Sequence, residues 1–247
     1  MLLLLSPAKT LDFSDNVPIQ ITTSTPKFLK EACELVQILQ KYSAQDIAKL
    51  MSLSEKLSEL NFQRFQEFNK QNSKAALYAY KGDVYEGFEL NEYKEAEIKF
   101  ANEHLRIISG LYGVLKPLDL IQPYRLEMSI NLINPKGRNL YNFWNEKLTD
   151  NLNEEQDDII INLASQEYSS AIITSKLTKP IINIVFKEQH KGEYKIIGIH
   201  AKKARGVMAN FIIRNFIKDT KEIKEFCLNG YQFKPEFSSK EEYVFVR

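Results

Sequence analysis

Four short polar clusters in this chain each follow an apolar run: Ser6-Pro7-Ala8-Lys9-Thr10, Lys81-Gly82-Asp83-Val84-Tyr85, Ser165-Gln166-Glu167-Tyr168 and His200-Ala201-Lys202-Lys203-Ala204-Arg205. Sheet proteins commonly gather their sites from loops just past strand ends, so these clusters are expected to converge if the runs before them share one sheet. The residue types suit two kinds of chemistry. Lys9 or Lys202, if desolvated, can act as a nucleophile, and Asp83, Glu127 or Glu167 as a general base. His104 and His200 can move protons, although a histidine more often caps, packs or hydrogen-bonds. There is no phosphate-loop motif, no Gly-x-Gly-x-x-Gly and no His-Glu-x-x-His. Without Cys-x-x-Cys or a spaced set of His, Cys and carboxylates, neither a metal nor a cofactor is expected.

The second chemistry is anion binding. From Tyr194 to Lys218 the chain carries Lys195, Lys202, Lys203, Arg205, Arg214 and Lys218 and no acidic residue. A helix is expected over 201–217, with Lys203, Asn210 and Arg214 in one stripe. Lys202 and Arg205 flank its start, where the helix dipole disfavours cations unless an anion sits nearby. Arg106, Lys116 and Arg125 add charge in the stretch HLRIISGLYGVLKPLDLIQPYRLEM, and Lys9 and Lys81 lie in small turns. Tyr85, Tyr112, Tyr124 and Tyr168 can stack on bases, or simply pack. Converging cations and aromatics are the footprint of a nucleic-acid groove. With 33 Lys and Arg against 32 Asp and Glu, and a net charge of +1, the groove is expected to be confined and the surface at large not basic.

The elements that must position these residues follow from the hydrophobic pattern. Leu2–Leu5 reads as a strand covered on both faces. A helical block follows from Pro26 to about residue 70, with Ser43 and Asp46 as an N-terminal cap and Ser54 opening a further helix. Residues 76–80 read as a strand, 97–109 as a helix, and 140–152 as a helix carrying Trp144. Strands are expected at 159–163, 180–186, 194–199 and 243–246, the middle two joined as a hairpin through 188–192. Gly110 and Gly113 make a tight turn between the 97–109 helix and a second, short helix from Pro117. Such a helical hairpin can offer backbone N–H groups to a phosphate, and its plain alternative is a packed corner. The class is α/β (or α+β): a single domain over 1–247, a mixed β-sheet with surrounding helices and a central cleft.

A 44% hydrophobic and 11% aromatic content supports a sizeable core and excludes a disordered chain. Cys33 and Cys227 lie far apart, which argues for a reducing cytosol. The apolar start is too short for a signal peptide or a membrane span, so a soluble cytoplasmic protein is expected, with no membrane and no evident protein partner.

The blocks LLSPAKTLD, KGDVYEG, HLRIISGLYGVLKPLDLIQPYRLEM, YNFW, INLASQEY and HAKKARGVMANFII, spread from residue 2 to about residue 215, make the chain resemble the YaaA family of bacterial peroxide-stress proteins. The resemblance implies a cytoplasmic protein that limits hydrogen peroxide damage by lowering free iron. It also implies DNA binding through a positively charged cleft on an unusual α/β fold, with a helix-hairpin-helix element placed here on 106–120. Where that element usually has Gly-x-Gly, this chain has Gly110-Leu111-Tyr112-Gly113. The expected partner is double-stranded DNA, held through its phosphates and largely without regard to sequence. The expected lining is Lys9, Lys81, Arg106, Gly110, Gly113, Lys116, Arg125, Lys202, Lys203, Arg205 and Arg214. A groove has little use for carboxylates, so an enzyme acting on a nucleotide or a damaged base in the same cleft is the alternative.

Overall fold

The continuous leucine run at the start of the chain becomes the middle of a mixed sheet, and all four of its side chains are sealed from solvent. Burial of that kind contributes about 1.5–3 kcal/mol per side chain. The computed structural model describes residues 1–14, 22–190 and 192–247. Its main sheet has eight strands: β1 Leu2–Leu5, β2 Leu105–Ser109, β3 Gly113–Leu115, β4 Ile160–Asn162, β5 Ile181–His190, β6 Glu193–Lys195, β7 Gln232–Phe233 and β8 Glu242–Val246. Their order across the sheet is β7-β8-β5-β4-β1-β2-β3, with β6 also paired to β5.

The five central strands run parallel, and β3, β6 and β7 are antiparallel additions. Leu4 lies beside Arg106 on one side and Asn162 on the other. The chain therefore leaves β1 to one flank for β2 and later returns to the opposite flank for β4. This reversal opens a crevice at the carboxyl ends of β1 and β4, the usual place for a site in an open parallel sheet.

Helices Leu29–Leu39, Ala44–Met51 and Glu55–Gln66 form the expected helical block, and Ser43 with Asp46 makes a full capping box. Helix Gly198–Arg214 packs on β5 and on helix Glu95–His104. The pairing of β5 with β6 gives the expected hairpin, but the expected 194–199 strand is only Glu193–Lys195 and the long helix already begins at Gly198; position 191 lies outside the described residues.

The stretch around Gly110 differs from its expectation. The helix stops at His104, and the next five residues are β2; β3 then pairs back on it, so the glycine turn joins two strands. No second helix starts at Pro117; a turn leads to the short strand Leu120–Ile121, paired with Lys74–Ala75. The helix-hairpin-helix expectation is thus replaced by a β-hairpin. Residues 105–109 are all buried, and a short run buried at every position carries no period that separates strand from helix. Two smaller corrections have similar causes. Ala76–Ala79 is one helical turn before the strand Tyr80–Lys81, and the expected 140–152 helix is split at Asn145, whose φ is 45°.

Candidate functional site

Turning out of β1, Ser6 to Thr10 form one wall of a cavity of about 260 Å³ in the crevice. Lys81 to Val84 form the second wall, Leu163, Ser165, Glu167 and Tyr168 beyond β4 the third, and Lys202 and Arg205 of the long helix the fourth. All four polar clusters therefore meet in one cavity. Two hydroxyls link the ends of β1 and β4: the backbone N–H of Ser165 donates to Ser6 Oγ at 2.8 Å, and Ser6 Oγ donates to Ser165 Oγ at 3.3 Å. Tyr85 Oη donates to the Ser6 carbonyl at 3.0 Å, so the second wall is fastened to the first.

The fourth wall is held by glycine. A Cβ on Gly206 would stand 1.8 Å from the Val84 carbonyl oxygen, and one on Gly87 would stand 2.5 Å from the Val207 nitrogen. Only two bare backbones can approach this closely. The Lys203, Asn210 and Arg214 stripe serves the same docking. Lys203 reaches Glu86 at 3.5 Å, Asn210 Oδ1 accepts from Tyr93 Oη at 2.8 Å, and Arg214 reaches Glu92 at 3.4 Å. The stripe is the seam between the helix and residues 84–93.

Lys202 and Arg205 are different. Neither forms an ion pair among the described residues, and Arg205 Nε is buried without a hydrogen-bond partner. Burial pulls the Arg205 guanidinium down from its ordinary value, as expected for a cation deprived of water and offered no anion. The opposite rim carries Lys9 and Lys81. Lys81 lies 2.8 Å from Asp12, and its hydrogen bonds hold the Asp12 carboxyl far below the usual range. Lys9 lies 3.0 Å from Glu127.

Glu127 is the most confined of the acidic candidates, at 7% exposure, and neither it nor the expected Arg125 is part of the cavity lining. Its Oε1 takes Lys9 at 3.0 Å and Arg125 Nη2 at 3.1 Å, while its Oε2 is buried with no partner. Glu167 Oε1 instead accepts from the backbone and hydroxyl of Ser129, at 3.1 and 2.8 Å. Asp83 stands on the cavity wall with Glu167.

Several expected site residues lie elsewhere. Arg106 is 3% exposed, and its guanidinium forks onto Glu155, with Nε–Oε1 and Nη2–Oε2 both at 2.7 Å. It shares a separate cavity with Lys116, so neither lines the one between Lys9 and Lys202. Gly110 and Gly113 close a packed corner. A Cβ on Gly110 would sit 2.2 Å from the Leu126 oxygen, and Gly113 has φ +71° with Trp144 against it. The turn's N–H groups are not open to a phosphate, because Ser109 Oγ accepts from Leu111 and Tyr112 at 3.2 and 3.0 Å. His104 and His200 contact Asp157 and Glu188 at 2.9 and 2.8 Å, away from the cavity.

The four tyrosines are buried, and three of them hold the scaffold. Tyr124 Oη bridges Ser109 Oγ at 2.7 Å and Tyr80 Oη at 2.6 Å, and burial pushes its phenol up to about 12. Tyr112 Oη accepts from the Gln122 backbone, and Tyr85 fastens the walls as described. Only Tyr168 reaches the cavity lining. The pattern gave no sign of Asp12, the partner of Lys81, or of Tyr78, whose hydroxyl is buried and unpartnered. Among the described residues, no three of His, Cys, Asp and Glu stand together as a metal site would require, and no helix is long and apolar enough to cross a membrane.

A family model described as "Peroxide stress protein YaaA" matches residues 1–237. The chain is 47% identical over 253 residues to "UPF0246 protein AM1_4276" of Acaryochloris marina (strain MBIC 11017), covering all of both chains. It is 46% identical over 253 residues to "UPF0246 protein Mmwyl1_3597" of Marinomonas sp. (strain MWYL1), covering 100% of this chain and 97% of that one.

Proposed function

Since the chain belongs to the YaaA family of peroxide stress proteins, we propose that it serves the peroxide response in the cytoplasm by binding DNA across the mouth of the four-walled cavity. The observation that carries this reading is the pairing of two unpartnered cations, Lys202 and Arg205, on one wall of a cavity rimmed by Lys9 and Lys81. A half-buried guanidinium without an anion gains most from a phosphate, which accepts its fork of N–H groups. At about 260 Å³ the cavity holds one phosphate or one extruded nucleotide and not a duplex, so the backbone on either side rests on the exposed lysines. DNA covered in this way is shielded from iron-dependent oxidation, which is the role proposed for it under peroxide.

The test is duplex affinity against salt for wild type, Lys202→Ala with Arg205→Ala, and Lys203→Ala with Arg214→Ala. Wild type loses affinity steeply with salt, and the first double variant lowers the slope by about two. The second leaves binding nearly unchanged, because its side chains face Glu86 and Glu92. A flat salt response, or full binding by the first double variant, refutes the reading.

A second reading, an enzyme acting on a nucleotide or damaged base in the same cavity, is favoured by Asp83 and Glu167, the carboxylates in its lining. Carboxylates at these positions suit proton transfer better than phosphate contact. On oxidised oligonucleotides, Asp83→Asn then abolishes turnover while binding is kept or tightened. Absence of turnover in wild type removes this reading.

A further inference from the structure

Beside the phosphate pocket lies a second cavity, of about 450 Å³, with Tyr78, Tyr80 and Phe88 in its lining and Asp12, Glu89 and Lys81 among its polar residues. Lys81 lines both cavities. The two are also braced together through Tyr85. Its ring stacks 6.0 Å from Phe88 and lies 5.2 Å from Tyr80, while its hydroxyl holds the Ser6 carbonyl on the pocket side.

The chamber differs in chemistry from its neighbour. Its lining carries three carboxylates, Asp12, Glu89 and Glu92, against Lys74 and Lys81, whereas the neighbour has four cations against Asp83 and Glu167. This chamber is therefore the less suited to a phosphate and the more receptive to N–H donors. Its aromatic residues suit a flat ring. Tyr78 Oη is buried in the wall of this chamber without a partner, and a buried unpaired hydroxyl costs stability until a turn of the ring lets a ligand complete it. The Glu89 carboxylate is more than half exposed, and its contacts with Asn210 and Arg214 are long, at 3.4 and 3.9 Å. It can still accept from a ligand.

We propose that this chamber is the base subsite for a nucleotide whose phosphate seats by Lys202 and Arg205, the ligand crossing over Lys81, and that it selects bases bearing an exocyclic amino group. The proposal rests on the nucleic-acid reading of the pocket and adds to it a preference among bases. Carboxylates accept from the amino group of cytosine, whereas uracil presents an oxygen at the same position.

The test is calorimetric binding of CMP, UMP and ribose 5-phosphate to the full chain, each on wild type, Tyr78→Phe, Glu89→Gln and Arg205→Gln. CMP is expected to bind about tenfold tighter than ribose 5-phosphate and several-fold tighter than UMP, a single hydrogen bond being worth up to about tenfold. Tyr78→Phe weakens CMP without changing ribose 5-phosphate, and the surface variant Glu89→Gln removes the preference for CMP over UMP. Arg205→Gln weakens all three. If the three ligands bind equally and only Arg205→Gln matters, the base subsite is overturned while the phosphate pocket stands. If none binds wild type, both fall.

Discussion

Replacing Gly206 by alanine sets two effects of opposite sign against each other. Inside a helix, alanine is favoured over glycine by about 1 kcal/mol, so propensity alone predicts a more stable protein. The structure predicts the reverse. The new Cβ would lie 1.8 Å from the Val84 oxygen and 2.8 Å from its carbonyl carbon, and both are backbone atoms that no rotamer change can move. Overpacking costs about 1–3 kcal/mol where side chains can adjust, and a backbone clash belongs at the upper end or beyond. The net effect is a loss of about 2 kcal/mol, or about 4–8 °C in Tm for a domain of this size. The shift also separates the wall of Asp83 and Val84 from that of Lys202 and Arg205, so DNA affinity falls with stability. Thermal unfolding and salt-dependent DNA binding of Gly206→Ala read both effects. A variant as stable as wild type, or more so, would show that the seam relaxes freely and that glycine is not what holds the fourth wall.

Two further outcomes follow from residues outside the cavity. Arg106→Gln leaves the Glu155 carboxylate without its bidentate partner; breaking such a pair costs about 3–5 kcal/mol, read as a lower urea midpoint. DNA binding, measured where the variant remains folded, is unchanged, and a selective loss of binding would return Arg106 to the nucleic-acid surface. Asp119 is buried, which raises its carboxyl above the ordinary range despite hydrogen bonds from Ser24 and the Lys116 backbone. The folded protein then holds that proton after the unfolded chain has lost it. The Asp119 contribution is therefore most favourable below the usual aspartate value, about 3.9, and is lost as pH rises through the folded value. Relative to Asp119→Asn, wild type should lose stability between acid and neutral pH in urea titrations. A constant difference between the two proteins would show that Asp119 does not titrate on unfolding.

What could be read in advance was local. Each of the four polar clusters follows an apolar run or opens a helix; the pairing of β1 with β4 brings two of them together, and the Tyr85 bond to Ser6 and the Gly206 and Gly87 contact bring in the others. What could not be read depended on distant partners. Nothing near Lys203 and Arg214 announces that Glu86 and Glu92 will cover them. The same holds for Arg106, whose partner Glu155 lies 49 residues away. The Gly110 hairpin failed for a different reason. Leu105 and Ile108 fit a helical face, but so does any buried strand of the same length, and the helix ends at His104 with no glycine or proline to mark it. The acidic residue in Pro123-Tyr124-Arg125-Leu126-Glu127 was visible; that its partner would be Lys9, across the sheet, was not.

Sorting the cations by partner, instead of counting them, narrows the functional surface. Arg106 and Arg125 are neutralised by Glu155 and Glu127, and Lys203 and Arg214 by carboxylates of the 84–93 segment. The Arg106, Lys203 and Arg214 pairs dock one element on another, the Arg125 pair is local to its own segment, and all of them leave little field for a ligand. Lys202 and Arg205 lie on the cavity wall, while the stripe faces the carboxylates of residues 84–93 along the contact that Gly206 and Gly87 allow. The glycine contact therefore bears on stability and also on which positive charges are paired. A protein with a net charge of +1 can in this way present a concentrated positive site without a basic surface. Carboxylates divide the same set: Glu127 and Asp12 pair with Lys9 and Lys81 at the rim, whereas Lys202 and Arg205 form no ion pair among the described residues.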